Sequence, residues 1–202
     1  FRRVLFRSTC DGTSGYPVCS CEEGYVLRGG ICEEGWFEDE NLAAVIVELL
    51  QFKGYEVETE ADITPEMLSE IEYLALRHKN ISSLVGIEHF SSLSVLDISE
   101  NNISDLSPLA ECPGLTVLNM SGNPANDLNP LSGLPLVSLD VSYSGVYNLN
   151  PLVPVTSLKE IVLADTAEGR HGIIRPENTN VAAWLEELEL DGCNELILFG
   201  QV

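Results

Sequence analysis

The sequence is poor in positive charge: its 202 residues include 10 Lys and Arg against 32 Asp and Glu, for a formal net charge of −22 at pH 7. A surface of that sign repels the phosphates of nucleic acids and of anionic lipids, so the composition disfavours both as ligands. It suits a basic protein, or calcium held by carboxylates. The alternative is a solvated acidic surface that keeps the protein soluble.

The sequence also lacks a long apolar run, and none approaches the roughly 18 residues of a membrane-spanning helix. We therefore expect no direct membrane insertion within this chain. No G-x-S-x-G, H-E-x-x-H or G-x-x-x-x-G-K-[ST] motif occurs, and His78, His89 and His171 stand apart from any catalytic pattern. We predict no enzyme, no catalytic residue and no cofactor.

The chain has no initial methionine, and residues 1–8, Phe-Arg-Arg-Val-Leu-Phe-Arg-Ser, resemble the translation of a sequencing-library adapter. We expect this segment to be non-native and leave it out of the fold prediction. The alternative is a basic, amphipathic natural segment.

Residues 9–34 are rich in cysteine, with Cys10, Cys19, Cys21 and Cys32. The pattern Cys-x-Cys-x-x-Gly-Tyr, followed after six residues by another cysteine, resembles the C-terminal half of an EGF-like module. The resemblance implies a small hairpin closed by a Cys21–Cys32 disulfide. It places the family partners of Cys10 and Cys19 upstream, so here these two are either free or paired with each other.

So short a cysteine-rich segment has no apolar core of its own and needs a covalent staple. A zinc site is the competing interpretation of four close cysteines. Zinc sites normally use C-x-x-C pairs, and C-x-C followed by Gly-Tyr does not fit that spacing. We therefore predict disulfides and no metal.

Residues 35–70 have a helical pattern, with apolar residues at helical spacing at Leu42, Val45, Ile46, Leu49 and Leu50. Asp39 and Asn41 are candidate N-caps, and Gly54 is expected to end the helix. Thr64 followed by Pro65 predicts the start of a second, short helix. These helices would form a cap over the apolar end of the segment that follows.

An apolar ladder with a period of 21 or 22 residues occupies the region 71–202, with repeats beginning at Ile71, Leu93, Leu115, Leu136, Leu158 and Leu185. The spacing L-x-x-L-x-L-x-x-N-x-I-x-x-L resembles the leucine-rich repeat family. A fixed period of this length predicts a solenoid in which each repeat buries its apolar side against its neighbours. The resemblance implies an α/β right-handed superhelix with short parallel strands on the concave face.

A second motif recurs on the opposite, convex side of each repeat: Asp105-Leu-Ser-Pro-Leu, Asp127-Leu-Asn-Pro-Leu and Asn148-Leu-Asn-Pro-Leu. Its proline favours a 3₁₀ or extended turn over a regular helix. Over residues 36–165 the pattern resembles the internalin-like, 22-residue subclass of these repeats. The ladder is interrupted between Leu158 and Leu185, and this insertion carries Arg170, His171 and Arg175.

Asn101 and Asn123 lie where the chain turns after each predicted strand, where a buried amide can bond backbone groups that the curve leaves unpaired. Ser144 and Thr166 hold the same position less well in later repeats. Cys193 takes it in the last repeat, where we expect a buried structural thiol and not a nucleophile.

The concave face is where we expect a ligand, because interfaces favour aromatic and arginine anchors and this face also carries carboxylates. Ser99 and Ser142 are among its predicted exposed positions. The predicted contact residues are Tyr73, Arg77, Asp97, Asp140, Tyr143, Glu187 and Asp191. Solvated carboxylates with no partner are the alternative.

Three glycosylation sequons occur, and two of them, at Asn80 and Asn102, fall on turns where a glycan is plausible in a eukaryotic secretory route. The third, at Asn119, lies on a predicted strand of the concave face. In a bacterial protein all three would have no such meaning.

The sequence therefore predicts an extracellular or cell-surface protein that binds a protein ligand, with a basic protein as one candidate, in recognition or adhesion. The ladder reaches residue 202 without a capping segment, so we expect more chain to follow. Two alternatives remain: the arm of a larger receptor or surface enzyme, and an intracellular regulatory scaffold of the phosphatase-binding repeat type. Reduced Cys21 and Cys32 in native material would favour the scaffold.

Overall fold

The structure, a computed structural model, describes residues 35–146 and 148–162 together with their side chains, and the backbone of the strands at 8–11, 18–21, 25–28, 31–34, 163–164 and 197–199. In the N-terminal part, β1 (Ser8–Asp11) pairs antiparallel with β2 (Val18–Cys21). Strand β3 (Tyr25–Arg28) pairs antiparallel with β4 (Ile31–Glu34). This part of the chain thus contains two successive hairpins.

Two helices follow where the sequence predicts them. Helix α1 (Glu40–Phe52) has Asp39 as its N-cap, and it ends at a left-handed Gly54. A 3₁₀ turn (Glu60–Asp62) leads to α2 (Pro65–Ser69), which begins after Thr64 with proline at its first position. Asn41, the other candidate cap, lies inside α1.

The repeats form one parallel sheet in which each strand contributes three to five residues. Its strands in chain order are β5 (Tyr73–Ala75), β6 (Val95–Asp97), β7 (Val117–Asn119), β8 (Ser138–Asp140), β9 (Glu160–Ala164) and β10 (Ile197–Phe199). Equivalent leucines stack directly, so Leu74 lies beside Leu96, Leu118 and Leu139. The in-register stack confirms the parallel strands predicted from the period.

Each strand turns its central residue into the core and its two outer residues toward solvent, the alternation that a two-residue side-chain period requires. Opposite the sheet, short 3₁₀ helices close the repeats at Ile87–His89, Ser107–Glu111, Asn129–Leu131 and Asn150–Leu152. Three of the four contain the predicted proline. The buried residues from Phe37 to Ile161 form one continuous apolar cluster that includes the inner face of α1.

Most of the predicted last repeat lies outside the described residues. The repeat counted from Leu185 predicts a strand around Glu187–Asp191, and in the described part of the chain the strand paired with β9 on its far side is Ile197–Phe199. A 27-residue gap breaks the phase of a 22-residue ladder, so the period cannot be extended across it. Glu187, Asp191, Thr166 and Cys193 themselves lie outside the described residues.

The buried amide of Asn101 joins two repeats, as the sequence predicts. Its Oδ1 accepts hydrogen bonds from the backbone N–H groups of Lys79 and Ile81, both at 3.0 Å. Its Nδ2 donates to the carbonyls of Leu76 and Ile98, both at 2.8 Å. Because these groups come from the turn of one repeat and the strand end of the next, a single side chain satisfies the backbone of both.

Asn123 repeats this arrangement one repeat further on. Its Oδ1 accepts from the N–H of Ile103, and its Nδ2 donates to the carbonyls of Ile98 and Met120. Ser144, at the next equivalent position, donates to the carbonyl of Val141. Its hydroxyl also accepts a long hydrogen bond of 3.3 Å from the N–H of Val146 in the same repeat. The serine hydroxyl therefore bonds only within its repeat, and the amides bond between repeats.

Replacing Asn101 by Ala is expected to lower the free energy of unfolding by about 3 kcal/mol or more, because it leaves several buried backbone groups unpaired. Ser144→Ala should cost about 1 kcal/mol. Chemical denaturation measures both. The adjacent Asn102 is exposed and serves as the matched control, so an Asn102→Ala loss as large as that of Asn101→Ala would contradict the argument.

Asp39 connects α1 to the first repeat and is only 8% exposed. Its Oδ1 accepts from the N–H groups of Asn41 and Leu42 in the first turn of α1. Its Oδ2 accepts from the N–H and the hydroxyl of Ser82, both at 2.8 Å. Burial alone would raise the pKa of Asp39, but these hydrogen bonds favour the carboxylate and hold the pKa below its ordinary value.

The lowered pKa predicts a stability contribution that is present above about pH 4 and is lost as the pH falls through the folded-state value. Asp39→Asn retains an N-cap acceptor but cannot accept from Ser82 with its amide nitrogen. We expect the variant to be about 1–3 kcal/mol less stable at pH 7. The gap should shrink toward pH 2 in denaturation series, whereas a gap independent of pH would contradict the carboxylate's role.

Gly86 allows the segment before α1 to pack on the first repeat. A Cβ at this position would lie 2.2 Å from the carbonyl oxygen of Trp36 and 2.5 Å from the ring of Phe37. Its φ of +105° also lies in the region that side chains rarely adopt. The contact brings Trp36 edge-on to His89, with ring centroids 4.8 Å apart, and Phe37 against Phe90.

Gly86→Ala is therefore expected to destabilise the protein by about 3 kcal/mol or more, from overpacking and backbone strain together. Gly54→Ala separates the two causes, because Gly54 has a φ of +94° but no heavy atom within 4 Å of the added Cβ. It should cost about 1 kcal/mol. Equal losses of thermal stability in the two variants would show that the close contact contributes nothing.

Candidate functional site

The concave face consists of two rows of side chains that run across the strands. The outer row contains Tyr73, Val95, Val117, Ser138 and Glu160, which are neighbours in strand register. The inner row contains Ala75, Asp97, Asn119, Asp140 and Val162. Adjacent members of a row are about 4.8 Å apart, so each row is about 19 Å long.

The outer row changes in character along its length. Tyr73 is 62% exposed and is followed by the half-buried Val95 and Val117, so its first three positions are apolar. At the other end, the hydroxyl of Ser138 donates to Glu160 Oε2 at 3.0 Å. One end of the outer row is therefore apolar, and its other end is polar and acidic.

Asp97 and Asp140 lie in the inner row, half exposed, as predicted. Each uses Oδ1 to accept the N–H of the residue two positions later, Ser99 or Ser142, at 2.9 Å. Asn119 does the same with Ser121. These bonds fix the orientation of the side chains on the face and leave Oδ2 of each aspartate without a partner among the described residues.

The serines at the strand ends do not belong to the exposed surface. Ser99 is 2% exposed and Ser142 is 4% exposed, so the prediction that they face solvent was wrong. The chain turns into the core immediately after each strand, and this bend buries the second residue beyond it. Alternation within the strand could not reveal the bend.

Arg77 lies at the edge of the concave face, where it forms an ion pair with Glu100 of the next repeat. His78 Nε2 contacts the other carboxylate oxygen of Glu100. All three side chains are substantially exposed, so the pair contributes little stability. Arg77 is thus available to a ligand only through competition with Glu100, which the sequence could not indicate.

A column of left-handed residues borders the face on this side. His78, Glu100 and Tyr143 have φ values of 57°, 55° and 54°, and Gly122 takes the same repeat position with a φ of 67°. Tyr143 is 53% exposed. Sequence reasoning missed this column, although a glycine one residue before the turn asparagine in one repeat is a signal that could have revealed it.

The structure does not bring all the predicted contact residues into one cluster. Tyr73 lies in the outer row on β5, whereas Tyr143 lies in the left-handed column that follows β8, three strands away. Asp97 and Asp140 lie between them in the inner row, separated by Asn119. The arrangement is a broad surface without a pocket geometry of its own, which suits a macromolecular partner.

The described residues were also compared with the requirements of a metal site and of a catalytic nucleophile. No group of three or more His, Cys, Asp or Glu among those residues could hold a metal ion. Cys112 is a buried free thiol, and burial together with the nearby Glu88 and Glu111 carboxylates raises its pKa to about 11, so it is a poor nucleophile. No helix in the same ranges is long and apolar enough to cross a membrane.

The two sequon asparagines lie side by side on the surface. Asn80 and Asn102 are both exposed, and Asn102 Nδ2 donates to Asn80 Oδ1 at 2.8 Å. Asn41 Nδ2 donates to the carbonyl of Asn80, which continues this contact to α1. Both asparagine side chains are accessible from solvent.

Comparison with known proteins identifies the repeats. Residues 91–133 match the family model described as leucine-rich repeats in two copies. No curated protein matches the chain. The match and the in-register parallel sheet together support a leucine-rich repeat protein, as the ladder predicts.

Two solved structures from Listeria monocytogenes share the fold. Internalin C2 is 23% identical with a TM-score of 0.53, and the match covers 64% of this chain and 66% of that one. The functional domain of InlJ, which includes a cysteine ladder, is 24% identical with a TM-score of 0.50, over 63% of this chain and 28% of that one. The chain thus spans less than two thirds of either protein, and the likeness concerns the repeat architecture alone.

Proposed function

We propose that this protein is a non-catalytic recognition module that binds a protein ligand on its concave face, outside the cell or at its surface. The observation that carries the proposal is the continuous two-row face, about 19 Å long, on a solenoid whose opposite side is closed by 3₁₀ helices. Solenoids commonly use such an extended surface for binding.

The exposed side chains support the choice of a protein ligand. Tyr73 and Tyr143 are large aromatics that remain exposed at 62% and 53%, and tyrosine is enriched among residues that dominate interface energies. The fixed orientation of Asp97 and Asp140 reduces the entropy lost on binding. Of the seven predicted contact residues, these four are therefore the strongest candidates, and Arg77 contributes only if Glu100 releases it.

The test begins with capture of partners from extracellular fluid or detached surface proteins on the immobilised chain. The affinity of each identified partner is then measured by surface plasmon resonance for the wild type and variants. Tyr73→Ala and Tyr143→Ala should each weaken binding by about tenfold or more, since truncated interface hot spots cost about 2 kcal/mol. Both residues are exposed, so thermal stability should change little.

Phe52→Ala is the matched control, because Phe52 is an aromatic residue 90% exposed at the end of α1, away from the concave face. It should leave the affinity unchanged. A partner whose affinity depends on Phe52 and is indifferent to both tyrosines would show that the concave face is not the binding site.

The extracellular location is proposed from the cysteine-rich segment. The antiparallel pairing of β3 with β4 supports an EGF-like hairpin, with Cys21 at the end of β2 and Cys32 opposite Leu27. A disulfide between Cys21 and Cys32 requires an oxidising compartment.

Peptide mapping of native protein without reduction should recover Cys21 and Cys32 in one cross-linked peptide pair. Recovery of both as free thiols would contradict the extracellular proposal and favour an intracellular scaffold. The same mass spectra test for glycans at Asn80 and Asn102, which we propose only for a eukaryotic secretory route.

A further inference from the structure

The change in side-chain character along the concave face indicates which kind of protein segment would bind there. In strand register, the outer row begins with Tyr73, Val95 and Val117 and ends at Glu160. In the inner row, Asp97 lies on the same strand as Val95, and Asp140 lies beside the acidic end. The two rows contain no Lys or Arg, so no cation within them neutralises these carboxylates.

We propose that the face binds a protein segment that lies across the strands, with apolar side chains over Tyr73–Val95–Val117 and Lys or Arg side chains over Asp140 and Glu160. This inference rests on the proposed function and adds the orientation and composition of the ligand. The row length of about 19 Å matches about six residues of extended chain, or about thirteen residues of helix.

Charge complementarity favours this occupant over the others. A second copy of the chain would also carry a formal charge of −22, and nucleic acids or anionic lipids are repelled in the same way. An uncharged apolar segment would desolvate the carboxylates of Asp140 and Glu160 without supplying a positive charge, and their hydrogen bonds to Ser138 and Ser142 offset only part of that cost. A basic end removes that cost, and it also steers the segment into one orientation.

The arginine at the edge of the concave face does not reach the acidic end. Arg77 lies beside the first strand, at the apolar end of the face, and is already paired with Glu100. The acidic end lies at β8 and β9, three and four strands away. Lys159, which precedes Glu160 in the sequence, is exposed and lies outside the two rows, so among the described residues neither row supplies a cation to the acidic end.

The probe is a library of random 12-residue peptides displayed on phage and selected against the folded chain. We expect enriched sequences to place apolar residues at one end and Lys or Arg at the other. Synthetic copies should lose at least tenfold in affinity on Val95→Thr with Val117→Thr. They should lose a similar factor on Asp140→Asn with Glu160→Gln, with stronger binding at low salt.

Matched controls remove the same groups elsewhere. Asp105→Asn with Asp127→Asn neutralises two exposed aspartates that make the same bond to the residue two positions on, but on the opposite side of the repeats. Val153→Thr alters an exposed valine beside a 3₁₀ helix. Both should change the affinity less than twofold, and melting curves verify that every variant is folded.

The outcomes separate the two proposals. Peptides that depend on the concave variants but are acidic, or basic without apolar residues, would overturn the inference on composition and leave the proposed function standing. Peptides insensitive to every concave variant would contradict both. The same selection is repeated against the quadruple variant Val95→Thr, Val117→Thr, Asp140→Asn, Glu160→Gln. If the wild type enriches no sequences that the quadruple variant does not also enrich, the inference is overturned.

Discussion

The buried turn asparagine is the interaction on which the rest of the structure depends. Each strand of the sheet is so short that its end exposes backbone groups to the core within one or two residues. Asn101 bonds such groups from two consecutive repeats at once, and Asn123 does so one repeat later. Without these amides the curve would bury unpaired N–H and carbonyl groups, which is among the costliest defects in a protein interior.

The same logic explains how the helical segment is attached to the repeats. A solenoid ends in an open apolar edge, and the inner face of α1 shares the continuous core that begins there. Asp39 joins α1 to the first repeat in the way that the asparagines join neighbouring repeats. Its carboxylate accepts hydrogen bonds from the N–H of Leu42 at the start of α1 and from the N–H of Ser82 in the first repeat. Polar side chains thus join the units at both kinds of boundary, and leucine packing supplies the bulk of the burial.

The surface that results separates stability from recognition. Residues that point inward from the strands are leucines in every described repeat from β5 to β8, and those that point outward vary from repeat to repeat. Variation is therefore free on the outer and inner rows, because the core does not depend on them. The gradient from Tyr73 to Glu160 is a property of these unconstrained positions, which is why it carries information about a ligand.

The sequence by itself determined the solenoid, the strands from β5 to β9, the helix start at Thr64 and the role of Asn101, because a fixed period and local capping chemistry are encoded in neighbouring residues. For α1 it left two candidate caps, Asp39 and Asn41, and the structure selects Asp39. Tertiary structure decided what depends on contacts between repeats. The pairing of Arg77 with Glu100, the burial of Ser99, and the strand at Ile197–Phe199 all arise from residues about 20 or more apart in the chain. Such contacts depend on how the repeats stack and on how the chain bends between them. The sequence period alone specifies neither the stacking nor the bend.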